Sequence, residues 1–533
     1  MNRRLQIIMP FIFGILIAVG VLIGKLIGSQ GAGSPNRSML IYPQSNKLNT
    51  VIDLISSEYV DTVNTSGMVE ELIPQLLEKL DPHSVYIPAK DLQQVNEELE
   101  GNFGGIGVQF SMQNDTVLVI SVISGGPSAK LGILPGDRIV AVNDSSIAGI
   151  KISTDKVMKQ LRGEMGTQVK VSILRGSQKL NFDIVRDAIP VYSVDVSYMV
   201  NDQTGYVKID RFAQTTYDEM IMALAKLKSQ GCKQVIMDFR GNSGGLLDAV
   251  IRMCNEFLKK GDLIVYTEGR SQPRQDVNAN GAGSCQDVKL IVLIDEFSAS
   301  ASEIFAGAIQ DNDRGIVIGR RSFGKGLVQQ QIPLPDGSAL RLTVARYHTP
   351  SGRCIQKPYT GGSKDYYEDI LHRYDKGEFF QKDSVKFDEQ EKYTTKGGRT
   401  VYGGGGIMPD IFVARDTSEF TNYYFNLRSK GTVYSFALAY ADVHRDALKQ
   451  FKSAAGILKY LDERPIVKEL LAKAQKDGIA FNAKEFELSK RLIEVEVKAY
   501  IARNIIDNEG FYPIIHAIDN VFQRAVEEAA NKK

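Results

Sequence analysis

Apolar segments of strand length alternate with amphipathic helical segments between residues 188 and 415, and this alternation constrains the fold more than any other feature. Gln234–Phe239 and Lys289–Ile294 are short apolar runs, as expected of strands buried on both faces. Tyr217–Gln230 places its apolar residues at helical spacing just before the first run. The alternation predicts an α/β core with a partly parallel sheet, because helical crossovers join parallel strands. Further strands are predicted at Gly205–Ile209, Ile316–Gly319, Gly326–Pro333 and Ala339–Tyr347, and helices at Leu246–Leu258 and Ser300–Gln310.

A second region, residues 101–187, consists of short apolar strands separated by glycine-containing turns. One short helix, Ser153–Leu161, interrupts them. We therefore predict a compact β-domain here. Its predicted strands are Gly107–Met112, Thr116–Val122, Arg138–Val142, Val169–Leu174 and Lys179–Ile184.

Helical patterns flank these two regions. Residues 44–100 are predicted to form a helical N-terminal region, since apolar residues recur there at helical spacing up to Asp81-Pro82. Residues 416–533 are predicted to form a helical C-terminal extension. The sequence leaves open whether this extension packs on the core or mediates assembly, for instance into a homo-oligomer.

The N-terminus differs from the rest of the chain. Leu5–Gly24 carries no charged residue and is long enough, at about 1.5 Å per residue, to span the roughly 30 Å core of a bilayer. Arg3 and Arg4 precede it and predict that the N-terminus stays inside and the body lies outside. We expect a membrane anchor over residues 1–28 and a flexible linker over residues 29–43. The alternative is a cleaved signal peptide, which also exports the body.

Composition excludes several classes of function. Lys and Arg together number 64 and Asp and Glu 63, so no global charge attracts nucleic acid, and no nucleic-acid partner is expected. The four cysteines form no CxxC, the five histidines are isolated, and HExxH is absent, so we expect neither a metal site nor a cofactor. Scattered buried thiols are favoured over two disulfides.

A serine-rich segment, residues 295–308, joins a buried strand to an amphipathic helix. Its simplest explanation is structural, with Ser300 capping the helix and Glu303 completing a capping box. The same geometry also suits catalysis, because the free N–H groups of a helix start can stabilise an oxyanion beside a nucleophile.

Residues 319–326 match the GxxxxGK pattern of a phosphate loop. Gly326 stands where such loops need Ser or Thr, and a strand rather than a helix follows, so no nucleotide site is expected. Lys325 is either a solvated residue in a turn or a buried amine. A buried amine has a lowered pKa and can serve as a general base.

Two further motifs are rich in glycine. In residues 235–247 a strand leads into Gly244-Gly245, whose N–H groups could supply half of an oxyanion hole, or whose turn could simply cap the next helix. In residues 101–110 a glycine-rich segment precedes a strand edge. That edge could accept a peptide as an added strand with its terminal carboxylate on the loop amides, or the segment is only a flexible loop.

Taken together and in order, the motifs resemble the C-terminal processing (tail-specific) peptidases, serine peptidases of the S41 type with an embedded PDZ domain. The matching segments are LDPHS, FGGIGV, GGPSAKLGILPGDRIVAVN, RGEMGT, DFRGNSGG, SASASEIFAGAIQD, GRRSFGKGLVQ, RYHTPSGRCIQ and GGGGIMPDI. The resemblance implies an α/β (α+β multidomain) fold. In it, a crotonase-like ClpP/tail-specific protease core at residues 188–415 carries an inserted PDZ domain at residues 101–187.

The resemblance also implies roles for individual residues. Ser300 would be the nucleophile, Lys325 the general base, and Gln329 the residue that orients the lysine, since positions four apart share a face of a strand. The oxyanion hole would use the N–H groups of Gly244 and Ala301.

The PDZ domain would bind the substrate tail and gate activity. Arg162, in RGEMGT, would couple tail binding to assembly of the active site. The tail would be bound by Gly104, Gly105, Ile106, Gly107 and Val108.

Two departures from the family pattern are His348, where tyrosine is frequent, and Cys354. A Ser–His mechanism through His348 is conceivable, although Lys325 already fills the role of base. The chain could instead be a non-catalytic scaffold that binds C-terminal tails, or a crotonase-like acyl-CoA enzyme, against which the exported body argues. The favoured prediction is a serine endopeptidase that trims exported proteins near their C-termini. We expect it in the cell envelope, with its catalytic body in the periplasm.

Overall fold

The structure is a computed structural model that describes residues 47–113, 115–123 and 125–531. The predicted anchor (1–28) and linker (29–43) lie outside these residues. In the part of the chain that is described, no helix combines the length and apolar character needed to cross a bilayer.

The chain divides into two compact units between Leu72 and Ile73. The region before the β-domain is helical, as predicted, apart from one short strand. Its elements are α1 (Lys47–Glu58), α2 (Thr65–Glu78), β1 (Val85–Ile87) and α3 (Ala89–Glu100).

The β-domain has its own sheet and its own core. Strands β3 to β8 form an antiparallel sheet in the order β3-β4-β5-β7-β8, with β6 paired to β5, and a separate ribbon pairs β2 with β9. The ribbon and β6 were not predicted, whereas the other five strands of the main sheet were. The elements are β2 (Asn102–Gly105), β3 (Val108–Gln113), β4 (Thr116–Val122), α4 (Pro127–Lys130), β5 (Arg138–Val142), β6 (Ser145–Ser146), α5 (Thr154–Leu161), β7 (Gln168–Arg175), β8 (Gln178–Val185) and β9 (Asp187–Pro190).

The α/β core follows, with the alternation that the sequence predicts. It adds an antiparallel sheet to the predicted parallel one. Its elements are β10 (Val194–Met199), β11 (Thr204–Ile209), α6 (Thr216–Ser229), β12 (Gln234–Asp238), α7 (Leu247–Asn255), β13 (Leu263–Glu268), β14 (Gln275–Asn278), β15 (Lys289–Ile294), α8 (Ala301–Asp311), β16 (Ile316–Gly319), β17 (Leu327–Pro333), β18 (Ala339–His348), α9 (Ser363–Asp375), β19 (Lys392–Thr394), β20 (Thr400–Tyr402) and β21 (Ile411–Phe412).

The central sheet has the order β10-β11-β12-β15-β16-β21 and is parallel except between β10 and β11. Alternate residues of β12 face opposite ways: Val235 and Met237 pack with α6, α7 and α8, while Ile236 packs on the other face. Both faces are buried, which is why the strand reads as a continuous apolar run.

A second sheet is antiparallel and has the order β1-β18-β13-β14, with β17 paired to β18. Strand β18 therefore lies between β1 and β17. This places the segment before β17, which contains Lys325, beside the end of the central sheet.

The C-terminal extension is helical, as predicted, and its last helix packs on the core. Val521 and Phe522 share one buried cluster with Ile236 and Ile291 of the central sheet. The helices are α10 (Asn422–Ser429), α11 (Thr432–Val443), α12 (Arg445–Leu448), α13 (Ala454–Asp462), α14 (Ile466–Lys476), α15 (Ala483–Ile515, kinked at Ile506 and Asp507) and α16 (Asn520–Ala530). Three short 3-10 turns lie at Lys382–Ser384, Glu389–Glu391 and His516–Ile518.

All four cysteines are free thiols, as favoured by the sequence. Cys232, Cys254 and Cys285 are buried, and Cys354 is partly exposed.

Candidate active site

Ser300 lies in the sharp turn between strand β15 and helix α8. Its backbone has φ +54° and ψ −113°, a conformation that costs free energy for a residue with a side chain and that clusters at functional sites. The turn points Ser300 away from the buried strand, and α8 begins at the next residue. The Ala301 N–H is the first of this helix, so it has no intrahelical acceptor.

Glu303 joins the two segments that carry Ser300 and Lys325. One carboxylate oxygen accepts hydrogen bonds from the Ser300 N–H (2.8 Å) and the Lys325 N–H (2.9 Å). The other accepts from the Gly324 N–H (2.7 Å) and the Ser322 hydroxyl (2.5 Å). Burial raises the pKa of Glu303 to about 7, although its four donors favour the ionised form. The sequence suggested this residue only as half of a capping box.

Tyr347 joins the same two segments through their backbone carbonyl groups. Its buried hydroxyl donates to the Lys325 carbonyl and lies 3.2 Å from the Ser300 carbonyl oxygen. Glu303 and Tyr347 therefore fix the two backbone segments at both their N–H and their C=O groups. No local sequence signal indicates that these four residues meet.

Lys325 and Ser300 line one cavity of about 490 Å³. Burial lowers the pKa of the Lys325 amine, and the charge of Arg341 lowers it further, against smaller opposite effects of Glu303 and Asp81. A lowered pKa increases the fraction of neutral amine that a general base requires. Within the described residues, no hydrogen bond joins the Lys325 amine to the Ser300 hydroxyl.

The geometry favours Gly245 over Gly244 as the oxyanion donor from the glycine turn. The Gly244 N–H already donates to the Asn242 side-chain oxygen at 2.8 Å. The Gly245 N–H has no acceptor among the described residues, and Gly245 lines the cavity. Gly244 instead allows close approach: with φ +103°, a Cβ there would lie 2.7 Å from the Ser300 Cβ. The sequence named Gly244, whose N–H is occupied by Asn242 in this structure.

Gln329 lines the same cavity as Lys325, but among the described residues no hydrogen bond joins the two side chains. The Gln329 amide donates to the Thr343 hydroxyl at 3.2 Å. The argument from strand alternation fails because Lys325 precedes β17 and a register shift separates Val328 from Gln329.

His83 is a cavity residue to which the sequence alone assigned no role. Its Nε2 is 3.0 Å from the Tyr366 hydroxyl. Burial, and next the charge of Lys325, lower the pKa of His83 to about 4, so the imidazole is neutral at physiological pH. Asp81 lies behind it and accepts from the Ser84 and Thr343 hydroxyls. The sequence signal that could have identified His83 is the LDPHS motif, which resembles the family motif but suggested no function for the histidine.

His348, the alternative base, lies elsewhere in the peptidase core. Its ring stacks on Tyr266 at 4.6 Å, and its Nδ1 is 3.1 Å from the Gly352 carbonyl oxygen. It is not among the residues that line the cavity around Ser300. No group of three or more His, Cys, Asp or Glu side chains in the described ranges is arranged to hold a metal ion.

The predicted tail-binding segment does not form a single loop. Gly104 and Gly105 belong to β2 and pair with Ala188 and Asp187 of β9, so only Ile106 and Gly107 lie between strands. Val108 begins β3, which is an edge strand of its sheet and so can accept an added strand.

Arg162 contacts the ribbon that connects the β-domain to the rest of the chain. Its guanidinium carbon lies 3.9 Å from the centre of the Phe103 ring, a cation–π contact with β2. Arg162 is therefore placed at the junction between the β-domain and the core.

Comparison with protein-family models gives three matches. Residues 203–367 match Peptidase family S41, and residues 104–185 match the PDZ domain. Residues 423–507 match a family of unknown function.

The chain is 38% identical to the "Carboxy-terminal-processing protease" of Bartonella bacilliformis over 352 residues, which cover 64% of this chain and 80% of that protein. It is 35% identical to the "Probable CtpA-like serine protease" of Staphylococcus epidermidis over 58% of this chain and 62% of that protein. Among solved structures, the "Photosystem II D1 C-terminal processing protease" matches 69% of this chain and 93% of that chain, with 24% identity and a TM-score of 0.36.

Proposed function

The chain belongs to peptidase family S41, in which it is a C-terminal-processing serine peptidase with a PDZ domain, and we propose that it cleaves exported proteins near their C-termini using Ser300 as nucleophile and Lys325 as general base. The fold class predicted from the sequence, an α/β core with an inserted PDZ domain and helical flanks, is confirmed.

The proposed reaction is amide hydrolysis through an acyl-enzyme. The neutral Lys325 amine takes the hydroxyl proton of Ser300 as its oxygen attacks the substrate carbonyl. The N–H groups of Ala301 and Gly245 stabilise the oxyanion that forms. Lys325 then protonates the leaving amine, and water repeats the sequence to release the acid.

The observation that carries this proposal is the shared carboxylate of Glu303. It holds the backbones of Ser300 and Lys325 on one oxygen, at 2.8 and 2.9 Å. A serine in a strained turn and a half-buried lysine with a lowered pKa are therefore held at one cavity. A purely structural lysine in a solvated turn would need neither the burial nor the shared anchor.

The decisive experiment compares Ser300→Ala and Lys325→Met with wild type on a tailed protein substrate. Both variants should lose cleavage by at least about 10³-fold while keeping their circular dichroism and melting temperature. Lys364→Met, an exposed lysine on α9, is the matched control and should behave as wild type. Cleavage by Ser300→Ala at a rate near that of wild type would refute the assignment of the nucleophile.

His83→Gln tests the second basic residue at the cavity. Because the His83 ring nitrogen is engaged with Tyr366, we expect this variant to keep more activity than Lys325→Met. The reverse order would identify His83 as the base.

The PDZ domain is proposed to bind substrate tails along β3 and, through Arg162, to gate the active site. Residues 104–108 lead into the edge strand β3, where an extended peptide can pair. Arg162→Ala should reduce the stimulation of cleavage by a tail peptide. If basal and stimulated cleavage both stay at wild-type values, Arg162 has no regulatory role.

We also propose that residues 1–28 anchor the protein in the inner membrane with the catalytic body in the periplasm. The support is the uncharged segment Leu5–Gly24 preceded by Arg3 and Arg4. In spheroplasts, we expect added protease to digest the body of the protein. After alkaline washing, we expect the intact protein to remain in the membrane fraction. A freely soluble body would instead indicate a cleaved signal peptide. We propose in addition that the protein forms a homo-oligomer. The mass of the detergent-solubilised protein tests this, since a monomeric mass would contradict it.

A further inference from the structure

Arg341 lines the active-site cavity, and the proposed mechanism does not use it. It lies in the middle strand, β18, opposite Gln331 of β17 on one side and Val85 of β1 on the other. Directly opposed residues share a face of a sheet, and all three of these residues line the cavity. Arg341 therefore presents its side chain toward Ser300 and Lys325.

The guanidinium of Arg341 has no carboxylate partner. Its Nη2 donates to the Gln331 side-chain oxygen at 3.1 Å, and within the described ranges it forms no ion pair. Gln331 is itself held by the Asn96 side chain at 3.0 Å. Arg341 is half-buried, and its other N–H donors have no acceptor among the described residues and remain open to solvent in the cavity.

Other arginines of the peptidase core are paired differently. Arg314 donates to the carbonyls of Phe257, Cys285 and Val288. Carboxylate partners are present for Arg240, Arg320, Arg321, Arg353 and Arg373. Arg341 differs from these arginines in having neither a carboxylate partner nor a set of carbonyl acceptors among the described residues.

The charges around Arg341 make the cavity suited to an anion. The His83 imidazole is neutral, and Asp81 accepts hydrogen bonds from hydroxyl and backbone donors of its own segment and of β18. The charge of Glu98 opposes the lowering of the Arg341 pKa, but among the described residues Glu98 forms no ion pair with Arg341. Burial lowers the pKa of Arg341, and its charge in turn lowers that of Lys325. A guanidinium with free donors binds a carboxylate through two parallel hydrogen bonds.

We propose that Arg341 binds a substrate carboxylate close to the scissile bond, and so makes the enzyme prefer peptides with an acidic group beside the cleavage point. The inference rests on Ser300 being the nucleophile. The carboxylate could come from an aspartate or glutamate side chain or from the free C-terminus of the substrate; the chemistry of recognition is the same.

The test measures kcat/KM on matched peptides for wild type, Arg341→Gln and Arg341→Glu. One set exchanges Glu for Gln at each position near the scissile bond, and the other exchanges the terminal acid for an amide. Wild type should prefer the acidic member by roughly 10- to 100-fold at one position or at the terminus, the range that hydrogen bonds to a charged group supply. Arg341→Gln should abolish that preference, and Arg341→Glu should favour a peptide with Lys at the same place.

Arg341→Gln distinguishes a side-chain carboxylate of the substrate from its C-terminal carboxylate. An effect of a Glu-to-Gln exchange that disappears in Arg341→Gln assigns the side chain, and an effect of amidation that disappears assigns the terminus. An amidation effect that persists unchanged in Arg341→Gln belongs to the PDZ groove. If every acidic preference persists in Arg341→Gln, or wild type shows none, the proposal is overturned.

Controls distinguish this failure from failure of the proposed function. Arg346→Gln removes an exposed arginine of the same strand that does not line the cavity, and should keep the wild-type preference. Neutral peptides should still be cleaved by Arg341→Gln and not by Ser300→Ala. On a neutral peptide, the acid limb of the pH profile of Arg341→Gln should shift to higher pH, because the Lys325 pKa loses a lowering charge. Should Arg341→Gln fail to fold, Arg341→Lys keeps the charge without the planar fork and should retain only part of the preference.

Discussion

The PDZ domain and the last helix of the C-terminal extension are attached to the peptidase core in opposite ways, whereas the earlier helices of the extension form a buried cluster of their own. The buried cluster of the PDZ domain draws only on residues 106–184, and the β2–β9 ribbon connects it to the core. The last helix of the extension, α16, has no separate cluster. Its apolar residues are buried together with those of the central sheet.

Helix α16 is also fixed by charge at both ends. Asp519, which caps its N-terminus, forms an ion pair with Arg240 at 2.7 Å, and Arg240 pairs with Asp238 at the end of β12. At the other end, the Lys289 amine donates to the carbonyls of Glu528 (2.9 Å) and of Asn531.

The PDZ domain is therefore an added module, whereas helix α16 is part of the peptidase fold. A parallel sheet must be covered on both faces, and α6, α7 and α8 cover only one. Helix α16 packs on the second face, and Asp519 at its start pairs with Arg240, which lies in the segment that leads to Gly245. We therefore expect perturbation of α16 to disturb catalysis and perturbation of the PDZ core to leave the peptidase fold intact.

The largest effect should come from Phe522→Ala. Phe522 is 4% exposed and stacks on His516 at 3.7 Å, so its loss should cost about 3–5 kcal/mol of core stability. Hydrogen exchange should show lost protection in β12. Ile173→Ala, the matched change in the PDZ core, should reduce protection in the PDZ domain only; an equal loss in β12 would contradict the comparison.

Asp519→Asn should come next. Asparagine still caps α16, so the change isolates the pair with Arg240, whose loss should cost roughly 2–3 kcal/mol. Because Arg240 leads into the glycine turn, kcat should fall roughly tenfold with little change in KM. Chemical denaturation and steady-state kinetics check both values. A change in KM alone would place the effect outside the oxyanion turn.

The pH dependence of stability should differ between the two regions. Burial lowers the pKa of His516 to about 4, so below about pH 6.5 the unfolded chain binds a proton that the folded chain does not. His516 alone should therefore lower core stability by about 2 kcal/mol between about pH 7.5 and pH 5. The difference between wild type and His516→Phe isolates this contribution, because the shifted pKa values of His83 and Glu303 act equally in both proteins. The PDZ region contains no histidine, so its hydrogen-exchange protection should change less over the same window.

The smallest effect on core stability should come from removing the PDZ domain. Gly105 and Asp187 are directly paired in the ribbon, so an Asn-Gly turn can replace residues 106–186. The melting temperature of the remaining core should stay within a few degrees of its wild-type value, because the two clusters are separate. Stimulation by tail peptides should disappear. Collapse of the core on excision would show that the PDZ domain is not a module.

Local patterns predicted most elements of the β-domain and the core at or near their observed bounds. Thr116–Val122, Arg138–Val142 and Lys289–Ile294 coincide with β4, β5 and β15. Each of these strands is buried on one face or on both faces, so its apolar residues alternate or form a continuous run that can be recognised in the sequence. The strands β2 and β9 escaped prediction because glycines and a short ribbon carry no such period.

The candidate site was predicted less completely. Ser300 and Lys325 each lie in a motif with a turn beside it, but their catalytic roles were predicted only from the resemblance of the ordered motifs to a family. Gly245, rather than Gly244, could not be chosen, because the choice depends on the Asn242 side chain that occupies one N–H. Arg341 had no motif at all, since only its neighbours in two other strands place it in the cavity.

The sequence by itself determined where strands and helices form, where Ser300 turns the chain, and which family the chain resembles, because those features depend on residues near one another. Only the tertiary structure decided what surrounds these residues. Glu303 meets Ser322 across 19 positions, and Arg240 meets Asp519 across 279. A hydrogen bond or an ion pair depends on distance in space, and the packing of the whole chain sets that distance.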